Sequence, residues 1–140
     1  MKDALRPDLP ILVVDDEEDV ARTVVRTLRM NGYDNLNYLT DSRKVLESLE
    51  ESSASLILLD ITMPHIKGDV LLMEISTHYP YIPVIMATAR DSIELVVDCM
   101  RKGAFDYINK PFSTDQLLTS VSDALEVRKQ RLKDEAMRNV

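Results

Sequence analysis

Four apolar runs of this sequence end on polar side chains whose types could do chemistry. Asp15 and Asp16 follow "ILVV", Asp60 follows "LILL", and Thr88 and Lys110 follow two later runs. Carboxylates about 4 Å apart repel each other by roughly 4 kcal/mol at an effective dielectric constant near 20, so a cluster of three requires protons or a cation. Carboxylate oxygens with room for water suit Mg²⁺. The sequence therefore predicts a magnesium site, provided that the fold brings these residues together.

Asp60 is the candidate nucleophile of such a site. A carboxylate beside Mg²⁺ can attack phosphorus to give an aspartyl phosphate, and the Thr88 hydroxyl and the Lys110 ammonium suit the phosphoryl oxygens. A structural explanation competes for the first pair, because Asp15 can simply end a strand and Asp16 can cap a helix. That explanation gives Asp60 and Lys110 no role, so it weakens when all five residues are considered together.

Strand-like and helix-like stretches alternate from residue 10 onward. Short apolar runs bounded by turn residues predict strands, and apolar residues repeated every three or four positions predict helices. The predicted strands are "PILVVDD", "NLNYL", "LILLD", "IPVIMATA" and "AFDYI". The predicted helices are "EEDVARTVVRTLRMNG", "DSRKVLESLEE", "VLLMEISTHY", "DSIELVVDCMRKG" and the segment that follows Ser113.

Local signals support two of the helix boundaries. Three acidic residues open the first helix and Asn31-Gly32 ends it, as the helix dipole and a left-handed glycine favour. Ser113 and Gln116 have the spacing of a capping box at the start of the last helix. The fourth helix carries an apolar stripe formed by Ile93, Val96, Val97 and Met100.

Five strand–helix units in succession predict an α/β fold, a five-stranded parallel sheet with helices on both faces. The first, third and fourth strands are continuously apolar and hence central, whereas the second and fifth are more polar and nearer the edges. This pattern agrees with the order 2-1-3-4-5 of flavodoxin-like folds, in which ligands bind beyond the carboxyl ends of the strands where the order reverses. The five polar side chains would then meet in one crevice.

The bulk composition narrows the function classes. The chain has 140 residues, a formal net charge of −7 and one cysteine, Cys99. The size fits one domain, and the negative charge disfavours nucleic-acid binding through broad electrostatics. A lone cysteine cannot form an internal disulfide, and no apolar run is long enough to span a membrane. We therefore expect a soluble, cytoplasmic domain.

Four motifs resemble those of response-regulator receiver domains (CheY-like domains) of two-component signalling. They are "LVVDDE" (12–17), "LILLDITMPHIKG" (56–68), "VIMATAR" (84–90) and "GAFDYINKPF" (103–112). The resemblance covers about the whole of residues 9–125. It implies a switch in which Asp60 accepts a phosphoryl group from a sensor histidine kinase, and no enzymatic activity beyond the domain's own phosphorylation and dephosphorylation.

The resemblance also implies a metal-ligand set. Mg²⁺ would be bound directly by Asp16, by Asp60 and by the backbone carbonyl of Thr62, while Asp15 would act through a water molecule. Thr62 and Arg90 occupy positions at which receivers vary and tune the lifetime of the phosphoryl group. We predict a comparatively long-lived phospho-form.

A second group of residues is implied to bind the phosphoryl group and to relay its presence. Thr88 and Lys110 would bind the phosphoryl oxygens. Tyr107 would turn inward as Thr88 moves, which would reshape the surface made by the fourth helix, the fifth strand and the fifth helix. A partly exposed edge-strand tyrosine with no switching role explains Tyr107 equally well.

Two loops around the crevice carry family features. Pro64 would shape the loop that leaves Asp60, and Gly68 would let the chain turn into the third helix without a Cβ clash. The Lys110–Pro111 bond is usually cis in receivers, and we expect it to be cis here.

We divide the chain into an N-terminal leader (1–8), a receiver domain (9–125) and a helical extension (126–140). The extension would lead to an output domain, and the resemblance is greatest to NtrC-type regulators, in which a AAA+ transcription activator follows. Leu125, Leu132 and Ala136 hint at a coiled-coil seam that Arg128 interrupts, so a solvated helix is the simpler expectation. A homodimer through the last helices, or through the surface of the fourth helix, fifth strand and fifth helix, fits the same pattern.

Other readings of the sequence are weaker. His65 and His78 lack partners at ligand spacing, and Cys99 lacks a nearby histidine, so neither a transition-metal site nor a cysteine nucleophile is expected. A haloacid-dehalogenase-type phosphohydrolase would also use a strand-end aspartate and Mg²⁺, but those enzymes commonly carry an acid where Thr62 stands. A pseudo-receiver, a binding module that is never phosphorylated, is the remaining alternative.

Overall fold

Apolar runs of four or five residues form the three central strands, because helices on both faces can bury every side chain of such a run. The computed structural model describes residues 9–63, 65–89 and 92–138. Its five strands are all parallel and lie in the order β2-β1-β3-β4-β5, which confirms the predicted topology. They are β1 (Ile11–Val14), β2 (Leu36–Leu39), β3 (Leu56–Asp60), β4 (Val84–Thr88) and β5 (Asp106–Asn109).

Five α-helices connect and follow these strands. They are α1 (Glu18–Met30), α2 (Val45–Glu51), α3 (Gly68–His78), α4 (Ile93–Arg101) and α5 (Thr114–Arg138), with a short 3₁₀ helix at Ser42–Lys44 before α2. The Ser113 hydroxyl accepts a hydrogen bond of 3.0 Å from the backbone N–H of Gln116, so the predicted cap of α5 is present. None of the helices in the described residues is long and apolar enough to cross a membrane.

The sheet separates two apolar layers. One layer packs α1 and α5 against the sheet, and the other packs α2, α3 and α4 against its opposite face. The three central strands are buried along their whole length, whereas β2 and β5 are partly exposed, as the polar residues in their sequences predicted. Two packed layers thus hold the central strand ends in fixed positions.

Helix α4 does not bury its apolar stripe. Ile93 is 83% exposed, and Val97 and Met100 are also exposed. The residue of α4 that is fully buried is Cys99, and Leu95 packs beside it against the core. The hydrophobic stripe of this helix therefore faces outward, because the sheet contacts the adjacent side of the helix.

Helix α5 extends well past residue 125, the predicted end of the domain. It remains helical to Arg138, which confirms the predicted extended C-terminal helix. The expectation that this extension is solvated is wrong for two of its residues, since Arg128 and Leu132 are both buried. The boundary drawn at residue 125 stays a prediction, and residues 1–8 and 139–140 lie outside the described residues.

Candidate functional site

The parallel register brings three carboxylates to the same edge of the sheet. Val14 pairs with Leu59, so the next residues, Asp15 and Asp60, leave adjacent strands side by side. Asp15, Asp16 and Asp60 each offer an oxygen within 4.8 Å of the others. This is the one group of three or more metal-ligating side chains that the described part of the chain contains. The carboxyl-terminal edge of the sheet therefore holds a concentrated negative charge.

Burial makes this charge costly. Asp60 is only 7% exposed and Asp15 is also buried, whereas Asp16 is exposed. Loss of solvation raises the pKa of Asp60 from 3.8 to about 6, against the opposing effect of the Lys110 ammonium. The negative charges of Asp15 and Asp16 raise this pKa further. At neutral pH the ionised form of Asp60 prevails, but it is held in an unfavourable environment.

Lys110 supplies the positive charge of the site. Its Nζ lies 2.5 Å from Oδ2 of Asp15 and 3.7 Å from Oδ1 of Asp60. The backbone N–H of Lys110 donates to the carbonyl of Thr88 at 2.8 Å, which fixes the backbone at this position. The Lys110–Pro111 bond is cis, as expected. Thr88 is buried at the end of β4, at the same edge of the sheet.

The structural explanation for the aspartate pair accounts for little of this arrangement. Glu17, not Asp16, occupies the N-cap position of α1, and its side chain makes no capping hydrogen bond. Asp15 does have a local role, since its Oδ1 accepts a hydrogen bond of 3.0 Å from the backbone N–H of Glu17. Asp16 is therefore an exposed carboxylate at the site, and it does not cap α1.

The loop after Asp60 is packed against the strand end. The backbone N–H of Thr62 donates to Oδ1 of Asp60 at 3.3 Å, and the N–H of Gly68 donates to the carbonyl of Ile61 at 3.1 Å. A Cβ on Gly68 would lie 2.4 Å from the carbonyl oxygen of Asp60, so the prediction that this position requires glycine is confirmed. Thr62 itself is exposed, and Pro64 lies outside the described residues.

Tyr107 and Arg90 are the other two residues named from the sequence. Tyr107 is partly buried on β5 and packs against the core layer of α2, α3 and α4. Arg90 is outside the described residues. Neither observation tests the switching or lifetime roles, which stay predictions.

A further support of the site was not found by sequence reasoning. The buried hydroxyl of Ser42 accepts a hydrogen bond of 3.1 Å from the backbone N–H of Ile66. This bond connects the loop after Asp60 to the 3₁₀ helix that precedes α2. In the same loop His65 has a positive φ of 70°. A serine at the start of a helix is common, so its identity carried no signal of this long-range contact.

The fold and the acidic edge agree with the comparison to known families. The sequence matches the response regulator receiver domain over residues 11–122. The chain belongs to this family. Members of the family act as signalling switches. The match therefore favours a receiver domain over the haloacid-dehalogenase-type phosphohydrolase.

Individual relatives are similar over most of this chain but are much longer. An NtrX-like response regulator of Rickettsia conorii is 36% identical over 123 residues, covering 86% of this chain and 26% of the relative. The regulatory protein AtoC of Escherichia coli is 35% identical over 118 residues, covering 84% of this chain and 25% of the relative. This chain therefore spans about a quarter of the length of these relatives.

Solved structures show the same fold. The crystal structure of NtrX from Brucella abortus superposes with a TM-score of 0.83 at 33% identity, covering 92% of this chain and 29% of that one. A CheY-like receiver domain protein from Methanospirillum hungatei gives a TM-score of 0.81 at 28% identity, covering 88% of this chain and 98% of that one.

Proposed function

We propose that this chain is a phospho-accepting signalling switch in which Asp60 receives a phosphoryl group from a histidine kinase. The observation that carries this proposal is the environment of Asp60, a buried carboxylate with a pKa raised to about 6 that lies beside Lys110 and two further carboxylates. A structural carboxylate would normally be stabilised by its neighbours, whereas this one is destabilised at the exit of a central strand.

The chemistry is a transfer of one phosphoryl group between two side chains. An Oδ of ionised Asp60 attacks phosphorus, the bond from phosphorus to the donor histidine nitrogen breaks, and the electron pair of that bond stays on the imidazole. The product is an acyl phosphate on Asp60. The pKa of about 6 leaves Asp60 mostly ionised, and hence nucleophilic, at neutral pH.

The donor set at the site fits Mg²⁺. Carboxylate oxygens are hard ligands, and three of them within 4.8 Å can share one small divalent ion that keeps water in its remaining positions. Asp16 and Asp60 would bind the ion directly together with the carbonyl of Thr62, and Asp15 would act through a water molecule. Bound Mg²⁺ would offset the negative charge that the phosphoryl group brings.

Lys110 and Thr88 would bind the phosphoryl oxygens once the group is on Asp60. The Lys110 ammonium now contacts Asp15 more closely than Asp60, so it must shift its main interaction toward the new anion. The Thr88 hydroxyl would donate to another phosphoryl oxygen. Tyr107, which packs beside the same core layer as α4, would then move inward and relay the change to the surface of α4, β5 and α5.

The exposed stripe on α4 supports a partner-binding role for that surface. Ile93, Val97 and Met100 leave a continuous apolar strip on one side of this helix. Large apolar side chains that share one exposed face typically mark an interaction site. We propose that this face pairs with a second copy, and that the chain controls an output domain that activates transcription.

Intact mass after incubation with acetyl phosphate and Mg²⁺ tests the function. We expect one added phosphoryl group on the unsubstituted chain and none on Asp60→Asn. The matched control is Asp34→Asn, which removes an exposed carboxylate in the loop between α1 and β2 and should not change the yield. A chelator should abolish the gain.

Two outcomes would contradict the proposal. Phosphorylation of Asp60→Asn at the unsubstituted rate would place the acceptor elsewhere. Failure of the unsubstituted chain to react with acetyl phosphate, together with no structural response to beryllofluoride, would favour the pseudo-receiver. The decay of the label reports the predicted long lifetime, which loss within seconds would refute.

A further inference from the structure

The C-terminal extension (residues 126–138) lies under the amino-terminal edge of the sheet, opposite the acidic site. Leu132 is 2% exposed and Arg128 is also buried, although both follow the helical turns that pack on the sheet. Both residues line crevices together with Leu9, which precedes β1, and one of these crevices also includes Ala54, which precedes β3. The extension therefore contacts the ends at which the central strands begin.

Two polar contacts hold the extension to the turn that follows α3. Nη1 of Arg131 donates to the carbonyl oxygen of Pro80 at 3.4 Å. The hydroxyl of Tyr81 forms a hydrogen bond with the carboxylate of Glu135. These contacts come from successive turns of the helix, so the extension is held along its length and not at a single point.

Charge favours the same arrangement. Residues 126–140 contain five Lys or Arg and three Asp or Glu, a net charge of +2, while the rest of the chain carries −9. A basic helix therefore lies on an acidic domain, and salt weakens the attraction between their net charges. The ion pairs of Lys129 with Glu126 and of Arg138 with Glu135 lie within the helix itself.

The docking is incomplete, unlike the packing of the core. A crevice of about 310 Å³ lies on one side of Arg128 and Leu132, beside Gly32 and Tyr33, and another of about 240 Å³ lies on the other side, beside Tyr79. The hydrogen bond from Arg131 is also long. Among the described residues, no backbone hydrogen bond joins residues 126–138 to a strand.

We propose that the C-terminal extension is a releasable latch, docked in cis on the amino-terminal edge of the sheet, which prevents the same helix from pairing with a second copy. Leu125 and Leu132 are seven residues apart and would form the seam of a helix pair, but both now pack on their own domain. While the helix is docked on its own domain, it cannot pair with the same helix of a second copy. The latch does not depend on phosphorylation of Asp60.

The double variant Arg131→Ala/Glu135→Ala tests the latch in the unphosphorylated 140-residue chain. It removes both polar contacts, retains Leu125 and Leu132, and preserves helix propensity. The matched control, Lys133→Ala/Met137→Ala, truncates two exposed side chains of the same helix. We expect amide hydrogen exchange across residues 126–138 to be roughly tenfold faster in the double variant and unchanged in the control.

Sedimentation velocity over a series of protein concentrations then tests the exclusion, with Val97→Glu added to every chain so that the exposed face of α4 cannot pair. We expect the double variant to dimerise at a concentration at least roughly tenfold lower than the unsubstituted chain, and the added change Leu132→Glu to abolish that dimer. Exchange that is equally fast in the unsubstituted chain would overturn the docking. A released extension that stays monomeric, or a dimer that survives Leu132→Glu, would overturn the exclusion.

The acidic site provides an internal control for these experiments. The variants lie at the opposite edge of the sheet, so the mass gain with acetyl phosphate should match that of the unsubstituted chain. A loss of that gain in the double variant would mean that the fold, and not the latch, has been damaged, and would overturn the view of a separable latch. Failure of the latch would leave the proposed acceptor role of Asp60 intact.

Discussion

The two edges of the sheet both bury charged side chains, but these charges have different neighbours. At the carboxyl-terminal edge Asp15 and Asp60 are buried as neighbouring like charges, and burial raises the pKa of Asp60 to about 6. At the amino-terminal edge Arg128 is buried beside the apolar Leu132, and loss of solvation lowers the pKa of its guanidinium. The buried charge costs stability at both edges, but at the second edge the burial of Leu132 contributes stability that the first edge lacks.

This difference implies opposite signs for substitutions at the two edges. Neutralising a carboxylate at the acidic edge should stabilise the chain, because it removes repulsion and a desolvated charge. Shrinking an apolar side chain at the other edge should destabilise it, because it leaves a cavity. The following substitutions test the contrast in order of expected effect.

Leu132→Ala should lower the free energy of unfolding by up to about 3 kcal/mol, since it leaves a cavity under the extension and the loss cannot exceed the free energy with which the extension docks. The control Met137→Ala, at a residue that is 76% exposed on the same helix, should change it by about 0.5 kcal/mol or less. Urea unfolding measures both values. Equal effects would mean that the extension is not docked in solution.

Asp60→Asn should raise the free energy of unfolding by at most about 3 kcal/mol at pH 7 in the presence of a chelator. The substitution removes a carboxylate whose pKa is raised from 3.8 to about 6 on folding. The pKa of Asp60 is about 6 in the folded chain, whereas the ordinary pKa of an aspartate side chain is 3.8, so the folded state binds the proton more tightly than the unfolded state does. The stability of the unsubstituted chain should therefore fall as pH rises through this interval.

The pH profile separates this effect from a simple change in packing. The difference between the two chains should be absent below about pH 4 and complete above about pH 7. Urea unfolding across this range measures it. A difference of the same size at every pH would refute the electrostatic cause, and excess Mg²⁺ should reduce the difference at pH 7.

Gly68→Ala should lower the free energy of unfolding by about 2 kcal/mol and slow phosphorylation of Asp60, because the added Cβ would meet backbone atoms of Asp60 and Ile61. Gly32→Ala is the informative control. Gly32 has a φ of +100° and nothing within 4 Å of a Cβ, so its substitution should cost about 1 kcal/mol through strain alone and leave phosphorylation unchanged.

Ser113→Ala should lower the free energy of unfolding by about 1 kcal/mol, because it removes the side-chain acceptor that caps α5. Since α5 begins near the acidic edge and ends under the other, this change also reports whether the two ends are coupled. Hydrogen exchange should become faster near residues 114–117 and stay unchanged in 126–138. Faster exchange throughout would show that the helix behaves as one unit.

Much of the acidic edge was predictable because its residues adjoin the patterns that define strands. Asp15, Asp60 and Thr88 each stand at the end of an apolar run, and parallel strands bring such ends together. The cis bond before Pro111 came instead from the family resemblance. The contact of Ser42 with the loop after Asp60 was not predictable, because no periodic pattern links residues so far apart in sequence.

The sequence by itself determined the strand order, the convergence of Asp15, Asp16 and Asp60, and the need for glycine at position 68, since each follows from local pattern or family motif. Tertiary structure alone decided which side of α4 is exposed and where the end of α5 lies. Helical periodicity identifies an apolar stripe but not the surface that covers it. Burial of Leu132 depends on contacts from distant segments, and these exist only once the sheet has formed.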